Sequence, residues 1–560
     1  MQLYQHVTHK LASILGLSLG NGLPTTKKII AFAINILIFS LSVITNGHSA
    51  PLQPDDIPGW NEGSSNGVVL AGNDVQYSST AVGDLDNNPS NGLETAVASS
   101  NGTLHVVSPS GEVLWSRVLP SSACTESRAN NKLYSSPTIG DLYGNGSKAI
   151  VIGYGGLGGR NCDGGVSAFR ANDGKLLWNF SLKKFGKKEK FGAQSRGVFS
   201  TPALADTDGD GKLEVGFGSF DRNVYLLNYN GTVRWYYNAA DTVWSSATFY
   251  NVDQDPDLEM IIGTDISKNT KINPPTHNGG YLYAFKTKAR KKKKILFRDS
   301  SAFVWKTDFD QVLYSSPVVA DVLSSNPGPE VIIGSGCYFP TNTNDKLGKW
   351  ISIVNPKNGR ILQQLRTTGC LSSTVAVGDI DKDGKLEIVA TVNGSKSIGG
   401  DGKSRISAWK AENPEPFWST IPNELGQHDS FGGHFQSPAI ADLNQDGALE
   451  VVAANGFAIG IYDGATGIPL TCQSSSCVNG FTLRAKKVIK STPSIADINQ
   501  DGVLDLVVGA GDSSKRRGVL LSWSYFSTLL GEGDTTPIDQ AVPWAGYRGG
   551  GDRSGRYSDN

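Results

Sequence analysis

Residues on which many catalytic and metal-dependent enzymes rely are scarce in this chain. Its 560 residues include 2 methionines, 6 cysteines and 7 histidines, and the formal net charge is only -1. No His-Glu-x-x-His segment occurs, which excludes the usual zinc-protease signature. A net charge so close to zero gives no overall field that would attract nucleic acid. We therefore assign no catalytic residues and expect no nucleic-acid partner.

An acidic loop recurs along the chain. Five loops place oxygen-bearing side chains at positions 1, 3, 5 and 9, which suits a hard cation, and calcium is the ion we expect. The candidate metal ligands are Asp206, Asp208, Asp210 and Glu214; Asn251, Asp253, Asp255 and Glu259; Asp379, Asp381, Asp383 and Glu387; Asp442, Asn444, Asp446 and Glu450; and Asp497, Asn499, Asp501 and Asp505.

Two other interpretations of these loops are less favoured. An EF-hand needs a helix on each side and a bidentate acid at position 12, whereas here the last acid is at position 9 and strand-forming residues flank it. Asp-Gly and Asn-Gly pairs also form simple hairpin turns. Because five loops share one oxygen spacing, calcium is favoured over simple turns.

Each loop belongs to a longer unit with the pattern of short strands. A Ser-Ser-Pro-like segment such as 134–137 precedes the loop, and an alternating strand and a Gly turn leading to a Trp follow it, as at 223–227 and 173–178. Such spacing predicts an all-β repeat protein. Three further units have incomplete loops that begin at Asp84, Asp141 and Asp321. Eight four-stranded units predict an eight-bladed β-propeller over residues 78–525, or seven blades if one unit is split or decorative.

These units resemble FG-GAP repeats, also called VCBS repeats, which form the propellers of integrin α-subunits. The resemblance covers about residues 78–523 and implies a calcium-stabilised propeller in which the side chains named above are the ligands. The incomplete loops depart from the pattern, since they lack its full ligand set. The segment 171–178 is also similar to the Trp strand of quinoprotein propellers, which packs between neighbouring blades. The adjacent cysteines typical of quinoprotein dehydrogenases do not occur here.

The segments outside the repeats suggest export and ring closure. Residues 1–49 contain Lys27 and Lys28, an apolar run at 29–44 and a small residue at Ser49, which predicts a signal peptide, with a signal anchor as the alternative. Residues 50–77 and the tail 526–560 flank the repeats. Either Trp60 or Trp544 is a candidate for the strand that closes the ring.

The six cysteines fit an oxidising compartment, so we expect a secreted, periplasmic or lumenal protein, or one tethered by an N-terminal anchor. Sequential pairing predicts the disulfides Cys124–Cys162, Cys337–Cys370 and Cys472–Cys477. Sequons that would carry glycans in a eukaryotic host begin at Asn101, Asn145, Asn179, Asn230 and Asn393.

The order of strands divides the predicted propeller into two faces. In an up-and-down blade the A–B and C–D connections share one face, and the D–A and B–C connections share the other. The acidic loops are A–B connections, whereas most long insertions are D–A or B–C connections. Variable loops on a rigid scaffold usually carry binding sites. The candidate contacts on the second face are Tyr154, Arg160, Tyr338, His428, Phe431, His434 and Phe435.

We therefore expect a non-enzymatic binding or adhesion scaffold that holds a protein or glycan ligand on the face of the D–A and B–C loops. A calcium-dependent carbohydrate-active enzyme, similar to polysaccharide lyases, is the alternative. It requires a pocket of Lys, Arg or Tyr beside an exposed calcium ion. Two basic runs, at 183–190 and 286–294, are interpreted as solvated loops. Contact with an acidic polysaccharide or anionic lipid is the alternative for them.

Overall fold

The structure, a computed structural model, describes residues 57, 60 and 67–557. Its gaps are 73, 121–132, 157–161, 190–194, 273–274, 340–347, 395–399, 423–435, 472–482, 486–488, 513–516, 532–535, 539 and 551. The predicted signal segment 1–49 lies outside the described residues. Within the described ranges, no helix has both the length and the apolar character that a membrane span requires.

The described strands form eight antiparallel sheets, which are the eight blades of a β-propeller. The all-β fold and the count of eight blades are therefore confirmed. In order of strands A to D, the blades are Ala81–Gly83, Glu94–Ser99, Thr103–Val107 and Val113–Val118; Thr138–Gly140, Ala149–Tyr154, Gly165–Arg170 and Leu176–Ser181; Ala203–Ala205, Glu214–Gly218, Asn223–Leu227 and Val233–Asn238; Thr248–Tyr250, Glu259–Ile266, Gly279–Phe285 and Phe303–Phe309; Val318–Ala320, Glu330–Gly334, Trp350–Val354 and Ile361–Arg366; Ala376–Gly378, Glu387–Val392, Arg405–Lys410 and Trp418–Thr420; Ala439–Ala441, Glu450–Asn455, Ala458–Asp463 and Leu483–Arg484; and Ser494–Ala496, Asp505–Asp512, Arg517–Trp523 and Val68–Leu70.

A few short elements decorate this ring. Helix α1 spans Leu182–Lys188 and helix α2 spans Ser527–Leu530. Turns of 3₁₀ helix occur at Pro89–Asn91, Ser300–Ala302 and Tyr547–Gly549. A fifth strand, Lys294–Ile295, pairs in parallel with strand D of blade 3.

The radial position of each strand decides how much of it is buried. Strands A of neighbouring blades contact one another, so they surround the axis. Strands B and C are the middle strands of each blade. Strands such as Ala149–Tyr154 and Asn223–Leu227 are buried along their whole length. Strands D lie at the rim, where half of the residues of Val113–Val118 are exposed. Sheets covered on both faces read as continuous apolar runs rather than as alternation.

The ring is closed by the N-terminal segment. Val68–Leu70 pairs with strand C of blade 8 in the register Val68 to Leu520 and Leu70 to Gly518. The indole Nε1 of Trp60 donates to the carbonyl of Pro109 in blade 1 at 2.8 Å. The last blade thus combines residues from both ends of the propeller sequence.

Tryptophans join neighbouring blades at the rim. Trp115, Trp178, Trp305 and Trp418 of strands D each donate their indole N–H to a carbonyl in the C–D turn of the next blade, at 2.5–2.9 Å. Each of these rings packs on a glycine of that turn, at Gly174, Gly231, Gly359 and Gly467 respectively. Strand D of blade 5 has no Trp, and there Trp409 of blade 6 donates to the carbonyl of Arg366 at 3.1 Å.

A belt of hydroxyl groups joins the blades near the axis. Each blade has a Ser or Thr at the position of Ser136, just before strand A. At seven of the eight junctions, the backbone N–H of this residue donates to the hydroxyl of its counterpart in a neighbouring blade, at 2.8–3.1 Å. The participants are Ser79, Ser136, Thr201, Ser246, Ser316, Thr374, Ser437 and Thr492. The Ser-Ser-Pro-like motif therefore belongs to the ring architecture rather than to a ligand site.

The C-terminal tail enters the axial channel. Trp544 forms an antiparallel bridge with Ile440 in strand A of blade 7, and Arg556 bridges to Val319 in strand A of blade 5. The turn between these points carries two fully buried arginines, Arg548 and Arg553. Trp544 therefore lies at the axis and does not supply the outermost strand of the ring.

One predicted disulfide is confirmed among the described cysteines. Cys337 and Cys370 are bonded, with their Cα atoms 5.6 Å apart. Cys162 is also disulfide-bonded, and its partner lies outside the described residues, as do Cys124, Cys472 and Cys477. The bond between Cys337 and Cys370 indicates an oxidising compartment.

Candidate functional site

The acid at position 9 of each loop is buried and holds its own A–B turn together. Glu214 accepts the backbone N–H of Thr207 at 3.1 Å, Glu387 that of Ile380 at 3.0 Å, and Asp505 that of Ile498 at 2.9 Å. Two loops with incomplete sequences have the same contact, through Glu94 and Glu330. A buried carboxylate that accepts a main-chain N–H stabilises the turn with or without an ion.

Carboxylates converge in four of the loops. Each group offers one oxygen per residue, and the oxygens of a group lie within 4.8 Å of one another. The groups are Asp84, Asp86 and Glu94; Asp206, Asp208 and Asp210; Asp253, Asp255 and Glu259; and Asp379, Asp381 and Glu387. Three of them belong to loops predicted as calcium sites. The first belongs to a loop that the sequence leaves incomplete, because a 3₁₀ turn at Pro89–Asn91 is inserted ahead of Glu94.

The loop of blade 6 fits a divalent cation best. One oxygen each of Asp379, Asp381 and Glu387 is buried and accepts no hydrogen bond. Burial, together with the charge of Asp381, raises the pKa of Glu387 to about 8. Leaving a buried acceptor unsatisfied costs about 1–3 kcal/mol. A calcium ion would take all three oxygens at once and relieve their mutual repulsion.

Basic side chains contact the carboxylates of three loops. Arg234 donates to Asp208 and to Glu214, both at 2.9 Å. Lys288 contacts Asp255 and Asp257 at 3.2 and 3.0 Å. In blade 6, Lys410 takes one oxygen each of Asp381 and Asp383, both at 2.6 Å. In blade 3 both oxygens of Glu214 have donors, since Thr207 takes the other, so this loop fits a cation less well than that of blade 6.

In the loops of blades 7 and 8 an asparagine replaces the acid at position 3. The amide of Asn444 donates to Asp446 at 3.0 Å, and the amide of Asn499 donates to Asp501 at 3.0 Å. Asp442 and Asp497 accept main-chain N–H groups of their own loops. These predicted ligands are thus adjacent, but among the described residues they form no group of three converging carboxylates.

On the opposite face, aromatic side chains form an arc around the axis. Five aromatic residues of blades 1 to 5 each stand just before the two Ser or Thr residues that precede strand A: Tyr77, Tyr134, Phe199, Trp244 and Tyr314. Neighbouring ring centroids are 4.2, 3.9, 4.9 and 4.9 Å apart along this series. All but Phe199 are partly exposed. The ammonium of Lys490 in blade 8 lies 5.3 Å from the centroid of Tyr77.

We call these five residues the aromatic arc. The faces of Tyr134 are largely covered, because Tyr77 and Phe199 both stack on it. Ring edges and phenol groups are therefore what the arc offers to a ligand. The sequence showed each aromatic separately, but only the closed ring brings them side by side.

A buried carboxyl group lies beside the arc. Asp265 accepts the hydroxyl of Thr242 at 3.0 Å, and its second oxygen has no partner. Burial raises the pKa of Asp265 well above its usual value, and the charge of Asp241 adds to the effect. Burial also raises the pKa of Tyr314, with Asp265 as a further cause. No sequence motif contains Asp265, so its burial could not be predicted from the sequence.

The residues predicted as ligand contacts have different outcomes. Tyr338 is 65% exposed and packs on Phe339 with ring centroids 5.1 Å apart. Tyr154 is the last residue of its strand and is fully buried, so the prediction that it contacts a ligand is wrong. Arg160, His428, Phe431, His434 and Phe435 lie outside the described residues.

A pocket of about 340 Å³ opens beside the acidic loop of blade 4. It lies between blades 4 and 5, and Tyr250, Asn251, Gln254 and Lys357 are among its lining residues. It thus brings a tyrosine and a lysine next to a predicted calcium ligand, Asn251.

Comparisons with known proteins find only solved structures of low identity. No family model matches the chain, and no curated protein matches it. Among solved structures, BamB from Moraxella catarrhalis is 13% identical with a TM-score of 0.44, covering 80% of this chain and 97% of its own. The exotype rhamnogalacturonan lyase YesX is 15% identical, with a TM-score of 0.48 and coverages of 81% and 75%. The biofilm matrix protein Bap1 of V. cholerae is 14% identical, with a TM-score of 0.37 and coverages of 85% and 92%.

Proposed function

We propose that this protein is a secreted or membrane-tethered, calcium-stabilised propeller that acts as a non-enzymatic binding scaffold. Its protein or glycan ligand binds to the face that bears the D–A and B–C loops. The aromatic arc is the observation that carries this proposal. Partly exposed tyrosines and tryptophans are enriched where proteins bind partners, because they combine a large apolar area with a polar tip. The ring holds the arc rigid, which limits the entropy lost on binding.

The arc can be tested with the secreted chain on arrays of glycans and of extracellular proteins. For a ligand found in this way, Trp244→Ala should weaken binding by about tenfold or more, as truncation of a central aromatic contact does. Tyr143→Ala, which removes a partly exposed ring from the A–B face, is the matched control. If Tyr143→Ala abolishes binding and Trp244→Ala does not, the ligand binds to the other face.

Calcium in the acidic loops is the second part of the proposal. Ions that bind only the native state stabilise it, so a chelator should lower the thermal midpoint and added calcium should restore it. Glu387→Gln should reduce this calcium-dependent shift, because that loop has three unsatisfied buried oxygens. Glu330→Gln changes the corresponding last acid of the blade 5 loop, which has no converging group, and is the control. A melting curve that is the same with chelator and with calcium would refute the metal assignment.

A calcium-dependent enzyme acting on an acidic polysaccharide is the second candidate. It is favoured by the pocket where Tyr250 and Lys357 lie near Asn251. Under this proposal the protein cleaves a polyuronate with a rise in ultraviolet absorbance from the unsaturated product, and Lys357→Gln abolishes the rise. Stable binding to the arc without any cleavage would favour the scaffold.

A further inference from the structure

The two basic runs of the sequence meet in one groove. The first run forms helix α1 and follows strand D of blade 2. The second belongs to the connection between strands C and D of blade 4, and it reaches back to place Lys294–Ile295 along strand D of blade 3. The backbone N–H of Tyr236 donates to the carbonyl of Lys293 at 2.9 Å, which fixes this strand on the blade. About 100 residues of sequence therefore separate two walls of a single surface feature.

The groove has lysines on its sides and apolar groups at its base. Lys188 comes from helix α1, and Lys292, Lys293 and Lys294 come from the added strand and the turn before it. All four are exposed. Val233 and Tyr236 are buried in the base. The volume is about 690 Å³, enough for an extended chain of several small units to lie in it.

Among the described residues, no ion pair neutralises the lysines of the groove. Glu189 is the one acid among the described residues that line the groove, and its carboxylate accepts the hydroxyl of Tyr236 at 2.7 Å. A phenol cannot cancel that charge, but four ammonium groups around one carboxylate leave a clear positive excess.

The shape of the groove distinguishes between anionic partners. A membrane surface is broad and would need a flat or convex face with apolar groups that protrude. In this groove Leu296 is 64% exposed, whereas Val233 and Tyr236 are buried at the base and do not protrude. A concave groove with charge on its sides fits a linear polyanion whose backbone rests on the apolar base.

We propose that this groove at the outer edge of blade 3 binds an acidic polysaccharide through Lys188, Lys292, Lys293 and Lys294. Carboxylates along the polymer pair with the ammonium groups, and the less polar faces of the sugar rings lie on the base. Repeated charge of one sign gives affinity without a precise register, and it makes binding sensitive to salt. This groove is separate from the aromatic arc and does not depend on the ligand of the arc.

Binding of the full chain to polygalacturonate, measured by biolayer interferometry, tests the proposal. The wild type should bind this polymer at low salt, lose most binding at high salt, and not bind the fully methyl-esterified polymer, whose carboxylates are blocked. The triple variant Lys188→Gln, Lys292→Gln and Lys293→Gln should bind about tenfold more weakly or worse. Thermal melting of each variant checks that the fold is retained.

A second triple variant is matched in charge. Lys175→Gln, Lys268→Gln and Lys271→Gln remove three exposed lysines that do not line the groove, and this variant should bind polygalacturonate as the wild type does. Equal losses in both triple variants would mean that overall charge, not the groove, attracts the polymer. Binding to vesicles that contain phosphatidylserine but not to polygalacturonate would overturn the proposal in favour of a lipid surface.

Discussion

Single residues in this propeller have roles that their chemical type does not reveal. The last carboxylate of an acidic loop resembles a metal ligand in sequence, yet Glu330 at the end of the longer blade 5 loop accepts two main-chain N–H groups, and that loop has no converging acidic group. A hydroxyl before a proline resembles a polar surface group, yet Ser136 and Thr201 link neighbouring blades. In both cases the partner is a backbone N–H that would otherwise be left unsatisfied, which is costly inside a protein.

Asp265 should make the protein less stable as the pH rises. The raised pKa means that the folded protein keeps a proton on Asp265 that the unfolded chain has already released. The unfolded state then binds fewer protons, so stability falls with increasing pH above the unfolded pKa of the carboxyl group. Asp265→Asn keeps the shape without this proton. The variant should therefore gain thermal stability over the wild type, and by more at pH 8 than at pH 5.

The control for this prediction is Asp241→Asn, which removes the neighbouring charge but not the buried acid. It should flatten the pH dependence only in part, because burial is the larger cause of the shift. If Asp265→Asn is destabilised equally at both pH values, the carboxyl group is ionised in the folded protein. A gain in stability joined to a loss of ligand binding would indicate that Asp265 is kept for function.

Residue-level prediction succeeded where a residue recurs and failed where it does not. The loop carboxylates occur five times with one spacing, so the sequence placed them correctly in A–B turns. Asp265 occurs once, and its burial depends on neighbours that are distant in sequence. Tyr154 was expected at the ligand face because a long insertion follows it. Instead, the buried strand Ala149–Tyr154 includes this residue.

At the scale of elements, four of the junctions between blades repeat one contact between a tryptophan and a glycine. The ring of Trp178 lies against the C–D turn of blade 3, and its indole donates to the carbonyl of Tyr229 at 2.9 Å. Gly231 in that turn has a φ of +77°, and a Cβ there would approach the indole to 2.7 Å. Only glycine meets both the backbone and the packing requirement.

Gly231→Ala should therefore destabilise the protein by about 2 kcal/mol, from a strained backbone and from displacement of the indole. Denaturant unfolding followed by tryptophan fluorescence measures the loss. Gly146→Ala is the matched control, because Gly146 has a similar φ of +84° but open space around its Cβ. Equal losses in the two variants would show that the backbone alone, and not the docked tryptophan, requires glycine.

Most strands could be predicted from the sequence, whereas the elements that cross between blades could not. Alternating or continuous apolar runs and Gly turns recur in every unit, so local pattern is sufficient for them. The strand Lys294–Ile295 is only two residues long and follows a lysine run, which reads as a solvated loop. It becomes a strand because the edge of blade 3 offers unpaired backbone groups, a tertiary effect that local propensity does not contain.

At the scale of the whole molecule, both chain ends hold the ring together but in different places. The N-terminal strand Val68–Leu70 completes the rim of blade 8. The C-terminal tail lines the axis, where it contacts strands A of blades 4, 5, 7 and 8. Sequence analysis could name Trp60 and Trp544 but could not separate their roles, because a tryptophan fits either a rim junction or a channel.

Arg553, one of the two buried arginines of the tail, should contribute strongly to stability. The guanidinium of Arg553 donates to the carbonyls of Ser79, Thr80, Pro137 and Tyr547. It thereby connects blades 1 and 2 to the C-terminal tail. Arg553→Met keeps much of the apolar stem but leaves these carbonyls without a donor. Since each unsatisfied buried group costs about 1–3 kcal/mol, we expect a fall of several degrees in the thermal midpoint.

Arg556→Met is the control, because Arg556 is exposed and bridges to blade 5 through its backbone; it should melt like the wild type. A variant that ends at Gly531 lacks the C-terminal tail in the axial channel, and its thermal midpoint should be lower than that of Arg553→Met. It should also become sensitive to proteases within strands A, since these strands lose the tail that covers them at the axis. If the shortened chain melts like the wild type, the belt of Ser and Thr hydroxyls closes the axis unaided and the tail is free to serve another purpose.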